Sequence, residues 1–264
     1  MKKILIIIIS LAIAIPNIAF SEISKTDSIM NIYYQKTKLD KYNEIKSIEI
    51  EGEMQVGPDF YYFRLQHKKP NSYRYKERFR DMYVFKLIND NELTAVTKDG
   101  KIDMGVMERD VIINLVSYME GFLTNYKTNN FKLTYLGQDS IIWNPEQVDK
   151  SVPFTPVPLD KLPKGKFEII ELTTPTFEKD KIYLDPQTYD IRFTTDNPFM
   201  LAKLGPIKFD EYQKVDGYSL PFRIELFSPM FPAIFRFYKI EINKEYPDDI
   251  FKSDSPENEV IPGQ

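Results

Sequence analysis

Between Ile45 and Gly100 the chain alternates apolar and polar residues at every second position, and turn residues interrupt the pattern at short intervals. Ile48, Ile50, Met54 and Val56 share one face of a strand, with Glu49, Glu51, Glu53 and Gln55 on the other. Gly57-Pro58-Asp59 turns the chain, and Tyr61, Phe63, Leu65 and His67 then oppose Arg64 and Gln66. After the corner Lys69-Pro70-Asn71, Tyr73, Tyr75 and Phe79 oppose Arg74, Lys76, Arg78 and Arg80. Two further runs, Val84 to Ile88 and Leu93 to Val96, are parted by Asn89-Asp90-Asn91 and closed by Asp99-Gly100. A period of two does not fit a helix, and connections this short cannot make a parallel crossover. The pattern predicts an antiparallel meander.

The period changes twice. Ile29, Ile32, Tyr33, Leu39 and Tyr42 predict a helix over 24–43. Met107, Val111, Ile112, Leu115, Met119, Phe122 and Leu123 predict a second over 108–125. Phe131 to Leu136 reads as a strand. Residues 144–165 contain Pro145, Pro153, Pro156, Pro158 and Pro163 and show no helical period; Val152, Phe154 and Val157 mark them as an excursion from the domain. A second meander is expected over 166–173, 178–185, 189–195, 206–214, 218–227 and 233–243, with Leu220, Phe222, Ile224 and Leu226 on one face and Tyr189, Ile191 and Phe193 along another strand. Neither meander has a second layer without the helices, so one continuous sheet is expected rather than two domains. The residues after Lys244 read as a loose, polar, acidic tail.

The first residues, MKKILIIIISLAIAIPNIAFSE, have the order of a secretory signal: Lys2 and Lys3, an apolar run broken by Pro16, then Ala19 and Ser21 as small residues. Cleavage is expected after Ser21, which places the protein in the periplasm. The expected organisation is a signal peptide at 1–21, a single domain at 22–245 and a polar tail at 246–264. Without Lys2 and Lys3, 33 basic residues face 39 acidic ones, a net charge of −6. That balance and export argue against nucleic acid as a partner. Within the third strand, moreover, tyrosines and basic residues alternate between faces, whereas a base-stacking surface needs them together. The chain has no cysteine, and so no disulfide, thiolate metal site, cysteine nucleophile or lipid-anchored N-terminal Cys.

Catalytic patterns are scarce. His67 is the one histidine and falls on the apolar side of its strand, as a core residue would. No Ser-His-Asp pattern, HExxH or glycine-rich phosphate loop is present. Glu49, Glu51 and Glu53, alternating along a strand, are expected on a solvated face; Asp248-Asp249 is a second acidic pair. No enzyme, metal or cofactor is expected. The 19 Phe and 17 Tyr stand out instead, together with the apolar, proline-containing stretches at 198–202 and 227–237. Stretches this apolar either close the core or rim a ligand cavity. A transmembrane β-barrel suits neither the helix at 108–125 nor the proline-rich excursion.

The exported chain with its early helix, the strand IEIEGEMQVG, the hairpin RLQHKKPNSYRYK and the late strands KFDEYQKVDGYSLPFRIEL together resemble the periplasmic lipoprotein-sorting carriers of the LolA/LolB type. The resemblance runs loosely over about residues 25–245. It implies an α+β fold, an unclosed antiparallel half-barrel of about 10–12 strands with an N-terminal helix and a helical lid over an apolar cavity. It implies acylated lipoprotein or another lipid as ligand, with an inner-membrane release complex and an outer-membrane acceptor as further partners. Tyr61, Phe63, Leu65, Tyr73, Tyr75, Ile112, Leu115, Phe193, Phe222 and Ile224 are then expected to line the cavity. The family carrier has an Arg before the hairpin proline that serves cargo release; here that position is Lys69. The chain is longer than typical carriers, and without an N-terminal Cys it does not match the membrane-anchored member. The alternative on the same fold is an envelope sensor or scaffold that reads lipids or binds a membrane protein without transport.

Overall fold

The structure is a computed structural model that describes residues 24–80, 82–89, 92–97, 100–103, 106–120, 122–142, 161–196, 205–227 and 232–252. The expected signal peptide, most of the proline-rich excursion, the stretches at 197–204 and 228–231 and the last twelve residues lie outside them.

Helix α1 runs Lys25–Thr37. Ser24 caps it by accepting the Asp27 N–H at 3.1 Å, and Asp27 places a carboxylate in the first turn. The helix predicted to reach residue 43 stops early because Lys38 takes a left-handed conformation, φ 61°. A 3-10 turn, Leu39–Glu44, continues the chain and buries Leu39 and Tyr42.

The first meander is β1 (Ser47–Val56), β2 (Asp59–Lys68), β3 (Ser72–Phe79), β4 (Met82–Asn89), β5 (Glu92–Thr97) and β6 (Gly100–Asp103). Helix α2, Val106–Glu120, follows; it ends short of the expected residue 125, and Phe122 and Leu123 of the expected stripe are buried from the turn beyond it. The second meander is β7 (Lys132–Asp139), β8 (Phe167–Thr173), β9 (Lys179–Leu184), β10 (Ile191–Thr194), β11 (Ile207–Asp210), β12 (Gln213–Val215), β13 (Tyr218–Leu220), β14 (Arg223–Leu226) and β15 (Ala233–Ile242). Among the described residues, thirteen strands form one antiparallel sheet in the order β6-β5-β4-β3-β2-β1-β15-β14-β11-β10-β9-β8-β7. Its edges, β6 and β7, do not pair with each other, so the barrel is unclosed. The expected strands 206–214 and 218–227 each divide in two. Glu211 at φ 54° bends the first, Pro221 interrupts the second, and the β12–β13 hairpin leaves the main sheet.

The last strand is inserted between β1 and β14, with Ile50 opposite Ile240 and Met54 opposite Phe235. The β1–β15 register shifts at Glu51/Gly52, and a Cβ on Gly52 would lie 2.3 Å from the Arg236 carbonyl oxygen. The glycine inside the IEIEGEMQVG strand is there because two backbones meet.

Both helices pack on one face. Met30 and Tyr33 of α1 and Ile112, Leu115, Val116 and Met119 of α2 join the inward residues of both meanders in one core. A smaller cluster on the opposite face contains Phe167, Ile169, Tyr183 and Phe193, with Ile141 and Leu162 against it. The expected loose tail is partly built into the fold: a 3-10 turn at Asp248–Phe251 buries Ile250 and Phe251.

Candidate functional site: the helix-covered concave face

The concave wall is aromatic because odd-numbered residues of β2 and β3 point inward. Phe63 stacks on Tyr75 with centroids 5.4 Å apart and meets Phe235 and Phe237 edge-on at 6.2 Å. Tyr61 stacks on Phe79 at 4.7 Å, and His67 on Tyr73 at 4.1 Å. His67 Nδ1 lies 3.1 Å from the Ser72 carbonyl oxygen, and burial pushes its pKa down to about 4. It is a neutral core side chain, as its place in the alternation suggested.

Helix α2 lies over this wall. Tyr118, Phe122 and Phe209 meet edge-to-face at 5.9–6.1 Å, tying the helix and the residues after it to β11. Of the ten expected cavity residues, Phe63, Leu65, Tyr73, Tyr75, Ile112, Leu115, Phe222 and Ile224 are buried in this core, and Tyr61 packs against it half-buried. Phe193 does not join them. The β9–β10 register shifts between Ile191 and Phe193, which keeps Ile191 in the concave core and turns Phe193 to the opposite face.

Among the described residues a gap of about 10 Å³ lies where Tyr33, Tyr118, Met119, Asp190, Phe209 and Tyr212 meet, room for one water at most. An open groove of about 550 Å³ lies between α1, the first 3-10 turn and the β12–β13 hairpin. Its walls mix Lys38, Asp40, Lys41 and Asp216 with Tyr34 and Tyr218, which does not suit an acyl chain.

Sequence reading missed one feature of the concave face. Lys86 Nζ lies 2.7 Å from Glu77 Oε2 and 5.5 Å from the centroid of the Tyr75 ring, with both charged side chains about one-seventh exposed. Glu77 occupies an inward position between Tyr75 and Phe79, and that break in the aromatic alternation was the available signal.

Lys69 is not the freely exposed corner a hairpin turn suggests. Its Nζ donates to the Tyr42 carbonyl oxygen at 3.0 Å and sits 4.9 Å from the centroid of the Tyr42 ring. Burial lowers its pKa against the opposing influence of Glu120, the last residue of α2. Burial likewise raises the Glu120 pKa, with Lys69 and the Asn125 amide opposing. Lys69 thus joins the β2–β3 corner to the helical layer and faces the negative end of α2.

On the convex face, Glu49 departs from the solvated row expected of it. It is 1% exposed and accepts from Arg64 Nη2 (2.9 and 3.0 Å), Gln66 Nε2 (2.9 Å), Lys244 Nζ (3.1 Å) and Tyr246 Oη (2.9 Å). The C-terminal segment makes this burial possible. Lys68 pairs with Asp248, and Asn89 Nδ2 donates to the Phe251 carbonyl oxygen at 2.8 Å. Among the described residues no three His, Cys, Asp or Glu side chains are grouped to hold a metal ion, and no helix is long and apolar enough to cross a membrane.

These features define a class: an unclosed antiparallel half-barrel whose concave apolar face is covered by helices. Solved structures similar to this chain include a putative outer membrane lipoprotein-sorting protein domain from Vibrio parahaemolyticus, at 10% identity and TM-score 0.46, covering 86% of this chain and 96% of that one. A LolA superfamily protein from Nitrosomonas europaea is similar at 11% identity and TM-score 0.46, over 87% and 98%. A DUF1329 family protein from Desulfovibrio piger is similar at 10% identity and TM-score 0.47, over 85% and 97%. No protein-family model and no curated protein matches the sequence.

Proposed function

We propose that the chain is a periplasmic carrier that binds acyl chains of lipoproteins, or of another lipid, on the concave face beneath α2, in the sorting of lipoproteins to the outer membrane. One observation carries the reading. The wall formed by Phe63, Leu65, Tyr75, Phe222 and Ile224 is apolar, and its cover is helical rather than a second sheet. Moving α2 would open an apolar trough without breaking a strand pair.

With α2 in place the wall residues Phe63, Leu65, Tyr75, Phe222 and Ile224 are all buried, so loading requires the helix to lift. Burying one sixteen-carbon chain could contribute at most roughly 12 kcal/mol, at about 0.8 per methylene. Displacing α2 from its packing would offset much of that, which suits a protein that must also release its ligand. Lys69, tied to the layer that must move, is the residue proposed to govern release. Export, with cleavage after about Ser21, belongs to the same proposal.

Native mass spectrometry of protein purified without detergent from its own envelope tests the reading. Co-purifying acylated material is expected. A clean apo mass, together with failure to take up added lipid, would sink it. The burial of that wall beneath the helices favours a second reading, a sensor or scaffold that transports nothing. Depletion separates the two: loss of a carrier strands lipoproteins at the inner membrane, whereas loss of a sensor changes transcription.

A further inference from the structure

The convex face bears a row that crosses five strands. Arg236, Glu53, Tyr62, Arg78 and Tyr83 stand opposite one another in turn on β15, β1, β2, β3 and β4. The Arg78 guanidinium lies 4.9 Å from the centroid of the Tyr62 ring. Lys76 Nζ lies 5.0 Å from the Tyr83 ring and 5.3 Å from the Phe85 ring. Aromatics and cations that alternate between faces along β3 are thus brought together across strands. Phe60 (42% exposed), Tyr62 (45%) and Tyr238 (59%) leave large rings in water beside them.

The charges here do not cancel. Arg236 is answered by Glu53 at 3.1 Å, Arg64 by Glu49, and Arg80 by Asp59 at 3.8 Å. Among the described residues, Lys76 and Arg78 have no carboxylate partner and rest only on rings. Among the described residues, an otherwise acidic chain, −6 from residue 22 onward, thus sets two cations without a carboxylate partner among exposed aromatics.

We propose that this face, centred on Tyr62, Lys76 and Arg78, docks the protein on an anionic phospholipid bilayer. Tyrosine places an apolar ring at the acyl boundary and its hydroxyl among headgroups, while Lys and Arg meet the lipid phosphates. An acidic peptide fits less well. It would need a groove or a free sheet edge, and β1 to β4 are paired on both sides. The inference stands apart from the acyl-chain reading: partition of protein onto vesicles reports this face, and lipid retained by protein taken off the vesicles reports the trough.

The test is co-sedimentation of the exported protein, its N terminus confirmed by mass, with vesicles of phosphatidylglycerol and phosphatidylethanolamine. Binding is expected at low salt, weakening as salt rises, and absent from phosphatidylcholine vesicles. Lys76→Glu with Arg78→Glu should lower partition at least about tenfold, and Tyr62→Ser should lower it at every salt concentration. Lys132→Glu with Lys166→Glu makes the same change in net charge at exposed positions elsewhere and should leave binding near wild type. Unchanged melting temperatures would show that each variant folds; a variant that melts early is replaced by Arg78→Gln, which should still weaken binding. No wild-type partition, equal partition onto uncharged vesicles, or an equal loss in the Lys132/Lys166 pair would overturn the proposal.

Discussion

Glu49, Glu51 and Glu53 are indistinguishable in the alternation of β1, yet only the first is buried. Alternation assigns a residue to a face; it does not say which part of that face a distant segment will cover. Here the cover comes from residues 244–251, nearly two hundred positions later. Burial by itself would raise the Glu49 pKa, but hydrogen bonds from Arg64, Tyr246, Lys244 and Gln66 outweigh it and hold the group at about 2, against an ordinary 4.5. A depressed carboxyl contributes stability above its unfolded pKa and loses it as pH falls through the folded one. Stability should therefore decline between about pH 4.5 and 2. Up to about 3 kcal/mol is at stake, less what screening removes where Arg64 and Lys244 reach water. Glu49→Gln should flatten that decline and cost about 1–3 kcal/mol at pH 7, measured by urea midpoints at several pH values. Phe63 was legible as an inward residue, and the structure buries it against Tyr75, Phe235 and Phe237. Phe63→Ala should cost about 3–5 kcal/mol of apo stability in the same measurement. A much smaller loss would mean that the ring borders empty space in solution.

At the scale of elements, the two meanders and both helices followed from periodicity, and the departures have local causes. Helix α1 ends at a left-handed lysine, which the amphipathic stripe does not signal. The β12–β13 hairpin separates at Glu211 and Pro221, and only the proline was a visible warning. Phe193 changed face through a one-residue shift, to which a period of two is most sensitive. Lys69 looked like a solvated corner because sequence does not reveal that Tyr42 and the end of α2 come to meet it. Lys69→Leu removes a donor from the Tyr42 carbonyl and a cation from beside Glu120. Burial already holds the Glu120 pKa up, and losing Lys69 should raise it further. A carboxyl with a raised pKa penalises the folded state above its unfolded pKa, so the destabilisation should be larger at pH 8 than at pH 5. At pH 7 it should be about 1 kcal/mol. Thermal melts at the two pH values measure it, and a pH-independent loss would show that the charge of Glu120 plays no part.

For the whole molecule, one continuous open sheet was legible because neither meander could bury its apolar face alone. The position of β15 was not, since nothing in a strand's own residues names its neighbours. A chain ending at residue 232 keeps the first meander and the second as far as β14, yet lacks β15, the strand that joins them. It should sediment as aggregates, or as two loosely coupled halves with separate unfolding transitions, rather than melt cooperatively; scanning calorimetry and analytical ultracentrifugation measure this.

That placement also sets a timetable for synthesis. A chain made from its N terminus delivers β1 early, but the partner on its open side, β15, arrives within the last forty residues. Until then the inner edge of each half exposes a row of unpaired amides, the condition under which strands join the wrong chain. The newborn protein therefore depends on whatever holds it apart from its copies during that interval, and the delay grows with the length of the excursion between β7 and β8 as well as with the speed of delivery.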